Sequence, residues 1–248
     1  MNIALIGYGK MGKQIEELAL AAGHHIVMTI DADNLHEISS DKFKKVDVAI
    51  EFTNPDSAVE NIKACFKAGI PVVCGTTGWY SSMPLVQKLV DDLQGSLLYA
   101  SNFSLGVNLF LEINKRAAAI MQKYPVYALH IEETHHIHKK DAPSGTALTL
   151  ANEILPFFPE KKTIKSILNN EKDSIQHDQL LINSLRIDEE PGTHDMIYTC
   201  EEDEILLRHT AFNRAGFAKG AIAAAEWLQG RSGIFTMADV LNFDGEKG

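Results

Sequence analysis

Residues 1–12 read MNIALIGYGKMG. Met1 to Ile6 is a short apolar run, the pattern of a buried strand. Gly7, Gly9 and Gly12 then form G-x-G-x-x-G, and an amphipathic helix is expected from about Lys13 to Ala22, ended by Gly23. Each glycine has a mechanical reason in that order of elements. Gly7 permits the tight turn, Gly9 lets backbone approach a pyrophosphate, and Gly12 lets helix and strand pack closely, with the helix N-terminus facing the phosphates. Asp31 closes the next strand, HHIVMTID, at about the 20-residue distance expected of a carboxylate that meets a ribose. Three turn glycines and a surface aspartate would be the plain alternative.

Working outward, strand-like and helix-like runs alternate. VDVAIEF (46–52), IPVVCGTTG (70–78) and LLYASNF (97–103) read as strands, separated by the capped helix in NPDSAVENIKACFKAG and a helix through 85–93. That rhythm predicts an α/β domain with a Rossmann-type parallel sheet covered on both faces. In open parallel sheets ligands sit beyond the carboxyl ends of the strands, so Gly75–Gly78 and Ser101–Phe103 are candidates to line the cofactor.

The pattern then changes. A helix from about Val107 to Gln122, the strand VYALHIEE and the helix SGTALTLANEIL precede three runs joined by short turns: QLLINSLRI, HDMIYTC and EILLRHTA. These predict an α+β domain with an open mixed sheet, whose bare face self-association would cover. Residues 156–172 read as a loose polar connection. FAKGAIAAAEWL reads as a small-residue helix packing back on the first domain, which makes that domain discontinuous: 1–104 with 213–248, around a substrate-binding and oligomerisation domain at 105–212.

The 248 residues are 45% hydrophobic and 23% charged, as expected of a globular protein. A formal net charge of -10 argues against nucleic acid or a membrane surface as partner. There is no membrane-length apolar run and no basic-then-apolar leader. Cys65, Cys74 and Cys200 are odd in number and lack CxxC spacing, which fits a reduced, cytoplasmic chain without structural zinc.

HHIHKKDAPSGTA (135–147) carries the chemistry. Histidine changes charge most easily near neutral pH. Neighbours on a strand face opposite ways, so His135 and His136 share a pocket only where the strand ends. One could move a proton while the other holds a substrate oxygen, with Lys139 adding a cation. Ser144 is a good N-cap, and the N–H groups of Gly145 and Thr146 would face an anion. His138 and Lys140 read as solvated, and Asp141 as fixing the turn before Pro143. A metal on His135, His136, His138 and Asp141 is not expected, since the i, i+4 helical pair is missing.

EETHHIHKKDAPSGTA resembles the E-x-x-H-H-x-x-K-x-D-A-P-S-G-T-A signature of the dihydrodipicolinate reductase family. GYGKMG, EFTNP, GTTGW (75–79), NFSLGVN (102–108) and RHTAFNRAGFAKGAIAAAEWL resemble its other blocks in the right order, across essentially the whole chain. The resemblance implies an NAD(P)H-dependent oxidoreductase of lysine and diaminopimelate biosynthesis acting on a small cyclic dicarboxylate, with hinges between the domains and a homotetramer. It implies His135 as proton donor or acceptor, Lys139 as a second donor, and His136, Gly145 and Thr146 as substrate-binding. Gly7, Tyr8, Gly9, Lys10, Met11, Gly12, Asp31, Gly75, Thr76, Thr77, Ala100, Ser101, Asn102 and Phe103 would bind the cofactor. Some members carry an arginine where this chain has Ala32, and a basic residue where it has Asn54. Both differences remove partners for a 2′-phosphate, and Asp31 repels one, so NADH is favoured over NADPH. An aspartate-type dehydrogenase would not need the double histidine and Ser-Gly-Thr. A nucleotide sensor would not need the proton donors, and a metal hydrolase would be sensitive to chelators.

Overall fold

The computed structural model describes residues 1–242. The tail of the expected first domain, 243–248, lies outside the described residues. The chain divides into two compact units, one of Met1–Leu105 with the return segment from Ala215, the other of Gly106–Arg214.

The first unit opens with β1 (Asn2–Ile6), α1 (Lys10–Ala21) and β2 (His25–Ile30), followed by a 3-10 segment, Ala32–Ser39. Then come β3 (Val48–Glu51), α2 (Pro55–Lys67), β4 (Val72–Cys74), α3 (Met83–Leu93) and β5 (Ser96–Tyr99). The second unit holds most of α4 (Leu105–Met121), then β6 (Ala128–His135), α5 (Gly145–Ile154), β7 (Thr163–Leu168), β8 (Gln179–Arg186), β9 (Thr193–Thr199) and β10 (Glu204–Thr210). The chain returns to the first unit as α6 (Ala215–Leu228), β11 (Gly233–Phe235) and α7 (Met237–Leu241).

In the first unit six parallel strands lie in the order β11-β5-β4-β3-β1-β2. Period-two alternation in β1 sends Ala4 and Ile6 into the core under α2 and α3, and Ile3 and Leu5 into the core under α1 and α6. Both faces are covered, so the strands are mostly apolar, with Glu51 at the end of β3 and Ser96 at the start of β5 as buried polar exceptions. The order reverses between β1 and β3, which places a crevice beyond their carboxyl ends.

The second unit has the order β10-β9-β6-β8-β7. Strand β9 runs antiparallel to β10 and β6, while β6, β8 and β7 are mutually parallel. Its core joins Phe110, Ala118 and Met121 of α4 and Leu150, Ala151 and Ile154 of α5 to Ile131, Ile182 and Met196 of the sheet. The fold is α/β with a Rossmann-type sheet and a separate mixed sheet.

Three local expectations change. Residues 156–172 are not a loose connection, because Thr163–Leu168 forms the edge strand β7 against β8. Strand β5 ends at Tyr99 rather than Phe103, where the Asn102 side chain accepts the Ser104 N–H (2.8 Å) and turns the chain. Helix α1 starts at Lys10, so Gly12 lies in its first turn.

Candidate active site

Gly7 has a φ of +91°, and a Cβ there would lie 2.0 Å from the Phe52 carbonyl oxygen. A Cβ on Gly12 would lie 2.4 Å from the Gly7 carbonyl oxygen, and one on Gly75 would strike the Phe52 ring. The turns after β1 and β3 are thus packed backbone to backbone, and the turn after β4 lies against the Phe52 ring. Gly9 differs, since a Cβ there would meet nothing within 4 Å. It opens onto a cleft of about 350 Å³ lined by Gly9 to Gly12, Phe52, Thr53, Pro55 and Gly75 to Thr77. Helix α1 points its N-terminus at this cleft, and Gly9 brings no side-chain cap. Uncapped first-turn N–H groups beside open space suit a pyrophosphate.

Of the other expected cofactor residues, Lys10 and Met11 line this cleft, whereas Tyr8, Asp31 and Ala100 to Phe103 are not among its lining residues. Tyr8 is half-buried, and its hydroxyl donates to Glu16, which raises its pKa. Lys10 is exposed and Met11 half-buried. Asp31 sits just past β2 and caps the 3-10 segment, accepting the Ala32 N–H (3.0 Å) and donating its own N–H to Asn34 Oδ1 (2.7 Å). Ala100 and Asn102 are half-buried and Ser101 exposed. Phe103 is a core residue, with its ring 5.9 Å from Phe52 and its carbonyl against Gly220 of α6, so only its backbone is placed to serve a ligand.

Sequence reading missed Glu51, which ends β3 fully buried and accepts from Cys74 Sγ (3.0 Å), Asn61 Nδ2 (3.3 Å) and the Thr53 hydroxyl. The Thr53 N–H donates to Thr76 Oγ1 (2.8 Å), tying the turns after β3 and β4 together. Burial, with the Glu51 charge alongside, pushes the Cys74 thiol far up, so this cysteine stays a neutral donor.

In the second unit, alternation along β6 buries Leu129, Ile131, Glu133 and His135 on one face. The apolar stripe thereby turns polar at its carboxyl end. Register places Ser184 of β8 and His194 of β9 on either side of Glu133, and Arg186 beside His135. Glu133 accepts the Ser144 N–H (3.0 and 3.1 Å) and the Ser184 hydroxyl (2.7 Å), with Arg186 at 3.5 Å, His135 Nε2 at 3.5 Å and His194 Nε2 at 3.8 Å. Burial alone would raise its carboxyl pKa. The nearby His135 ring and the hydrogen bonds from Ser144 and Ser184 overcome that and hold it at about 2.

The His135 ring stands edge-on to His194, 5.1 Å between centroids. His194 Nε2 also meets Ser144 Oγ (3.1 Å), and burial, then the nearby His135, lowers its pKa to about 4. His136 begins the loop, with its ring 6.2 Å from that of His138 rather than beside His135. Lys139 Nζ grips Asp141 (2.8 and 2.9 Å), and Arg186 donates to the carbonyls of Asp141 (2.6 Å) and Lys139 (3.4 Å). The Lys139 hydrogen bond lowers the Asp141 pKa. Ser144 caps α5, accepting the Ala147 N–H (3.2 Å). Gly145 is exposed with nothing within 4 Å of a Cβ, so open space lies over the N-terminus of α5, and Thr146 beside it is half-buried.

The four residues weighed as metal ligands do not gather. Donor atoms of Glu133, His135 and His194 do lie within 4.8 Å of one another. The Glu133 oxygens, however, are already met by N–H and O–H donors, which compete with any cation. Glu133, Ser184, Arg186 and His194 all escaped sequence reading. The only signal was Glu133 two residues before His135 on an alternating strand.

A glycine turn opening a switch-point crevice, with a second unit carrying proton-active and cationic groups around a helix N-terminus, defines a Rossmann-type nicotinamide-dependent oxidoreductase. Residues 1–103 match the family described as "Dihydrodipicolinate reductase, N-terminus" and residues 106–241 the one described as "Dihydrodipicolinate reductase, C-terminus". The chain belongs to the dihydrodipicolinate reductase family. It is 45% identical to a 4-hydroxy-tetrahydrodipicolinate reductase of Christiangramia forsetii, over 98% of each chain. It is 35% identical to one of Rickettsia bellii, over 96% of this chain and 94% of that one. Dipicolinate-bound dihydrodipicolinate reductase from Paenisporosarcina sp. TG-14 shares the fold, with a TM-score of 0.77 at 22% identity over 95% and 97% of the chains.

Proposed function

We propose that the chain reduces 4-hydroxy-tetrahydrodipicolinate, with loss of water, to tetrahydrodipicolinate, using NAD(P)H, as a step of lysine and diaminopimelate biosynthesis. The observation that carries this reading is the second unit's constellation: His135 on a buried carboxylate, Lys139 and Arg186 close by, and the open N-terminus of α5. Loss of water leaves a ring with a conjugated C=C–C=N system. The nicotinamide, when bound, supplies a hydride to the far carbon of that system. The electron pair moves toward nitrogen, and the ring carbon next to C=N must then take a proton, which restores the imine.

The protein's part is to bind, orient and protonate. His135 presents Nε2 to Glu133, which leaves Nδ1 as the atom that exchanges a proton with the ring. Lys139 serves as second donor. Its ammonium pairs with Asp141 at 2.8 Å, a carboxylate contact of the kind a substrate carboxylate would also make. His136, Gly145 and Thr146 bind the carboxylates, aided by the helix N-terminus. On the cofactor side, the turn from Gly7 to Gly12 holds the pyrophosphate, Asp31 the ribose, and Gly75 to Thr77 with Ala100 to Phe103 the nicotinamide half. Asp31, with Ala32 after it and Asn54 in the next turn, favours NADH over NADPH.

Mixing the protein with freshly prepared substrate and either cofactor, and following loss of nicotinamide absorbance, tests the reading; absence of turnover with both would overturn it. A strong NADPH preference in the Michaelis constants would overturn the role of Asp31. Among the described residues no helix is long and apolar enough to cross a membrane. We further propose cytoplasmic residence and a homotetramer that covers the open sheet of the second unit; a monomer by light scattering at all concentrations would refute the assembly.

A further inference from the structure

We propose that Glu133 is a positioning residue of the reaction: one buried carboxylate faces His135 Nε2 and holds the N-terminus of α5 through the Ser144 N–H, so the proton group and the anion seat keep a fixed separation. The proposal deepens the reductase reading and rests on it.

Glu133 has no exposed surface, so it cannot touch substrate itself. Its two oxygens nevertheless reach both halves of the substrate seat. The Ser144 N–H, immediately before α5, bonds to both oxygens, and His135 Nε2, buried without a hydrogen-bond partner among the described residues, faces Oε2 across an ion-pair distance of 3.5 Å. The remaining degrees of freedom of the His135 ring are taken up by its neighbours. Gly192 lies so close behind that a Cβ there would be 2.8 Å from His135 Cε1, and His194 stands edge-on to the ring. Those contacts fix the ring plane, and the carboxylate lies on the Nε2 side of it. A carboxylate accepts and never donates while ionised, so it selects the tautomer with the proton on Nε2. At neutral pH Glu133 is ionised and the buried His194 is neutral, so Arg186 and the Lys139–Asp141 pair are the standing charges around the two. A purely structural carboxylate would be satisfied by Ser144, Ser184 and Arg186 alone.

The test compares wild type, Glu133→Gln and Glu133→Asp. Glutamine keeps an oxygen for Ser144 and Ser184 but turns a donor amide toward the imidazoles. Nitrogen-15 NMR of the substrate-free wild type should show His135 protonated on Nε2 with Nδ1 bare. In Glu133→Gln that distinction should collapse toward a tautomer mixture, and kcat should fall by about 100-fold, with KM for substrate and NADH affinity changing little. Glu133→Asp should keep the tautomer. A wild-type His135 protonated on Nδ1, or a Glu133→Gln variant with unchanged nitrogen signals or unchanged kcat, would overturn the proposal. The wild-type measurement stands even where Glu133→Gln does not fold. The spectra need no turnover, so they remain decisive when the reductase reading itself fails for want of activity.

Discussion

His135 owes its place to two features that act on opposite sides of its ring. Glu133 lies before it, and behind it Gly192, with φ +153°, leaves no room for a side chain. Gly192→Ala would set a methyl 2.8 Å from Cε1 of a ring already packed edge-on to His194, at a φ that side-chain-bearing residues rarely adopt. The variant should lose about 1–3 kcal/mol of stability and most of its turnover, with NADH binding by the first unit unchanged; calorimetric titration beside steady-state kinetics checks the split. The same cluster makes stability depend on acid. The folded pKa of His194 is about 4 against an ordinary 6.5, so the unfolded chain binds the proton more readily. Stability is therefore complete above about pH 6.5, falls as pH drops toward 4, and falls no further from this group below that. Glu133, at about 2 against 4.5, adds the same sign in the window from 4.5 to 2. Melting temperatures should decline from pH 6.5 downward, and His194→Gln should flatten the upper part of that decline, the part above pH 4.5. A flat wild-type profile between 6.5 and 4.5 would contradict the burial argument.

Elements carry the cofactor side, and the turn from β1 to α1 carries most of it. Starting α1 at Lys10 brings Gly12 into the first turn, where a Cβ would lie 2.4 Å from the Gly7 carbonyl oxygen. Gly12→Ala should push the helix N-terminus away from the cleft, lowering NADH affinity at least tenfold, roughly the 1.4 kcal/mol that a modest backbone shift costs in phosphate contacts. The dicarboxylate binding proposed for the second unit should be unaffected, and fluorescence titration with each ligand separates the two. The turn was legible because glycine spacing reports backbone geometry directly. The strand β7 was not. Its sequence TIKSIL places Ile164 and Ile167 three apart, out of step with the period of two, and Lys165 reaches Asp173 at the sheet edge, so local pattern reads as polar connection. Strand β11 is three residues long and exists through pairing with β5. Glu133, Ser184 and His194 lie up to 61 positions apart in sequence and meet only through the register of β6, β8 and β9, which no single-strand pattern encodes.

The whole first unit depends on a chain that leaves it and returns. Between Leu105 and Ala215 the polypeptide builds the second unit, and α6 then covers the sheet face that α1 leaves open. The composition of α6 made this visible from sequence: GAIAAAEWL offers small residues for close approach, and Gly220 sits so near that a Cβ would be 1.7 Å from the Phe103 carbonyl oxygen. Ala218, Ala221, Ile222, Ala224, Ala225 and Leu228 are buried there against Ile3, Leu5, Ile50 and Leu98. Ending the chain at Arg214 would uncover that face and remove β11 from the edge of β5. The lost burial is on the order of 10 kcal/mol, as large as the whole stability margin of an ordinary domain. The shortened chain should therefore fail to bind NADH and should expose apolar surface to a hydrophobic dye, with the parallel sheet unformed. A soluble 1–214 fragment with wild-type NADH affinity would mean that α6 is an accessory cover. The glycine turn at Gly7–Gly12 would then owe its geometry to the N-terminal strands alone.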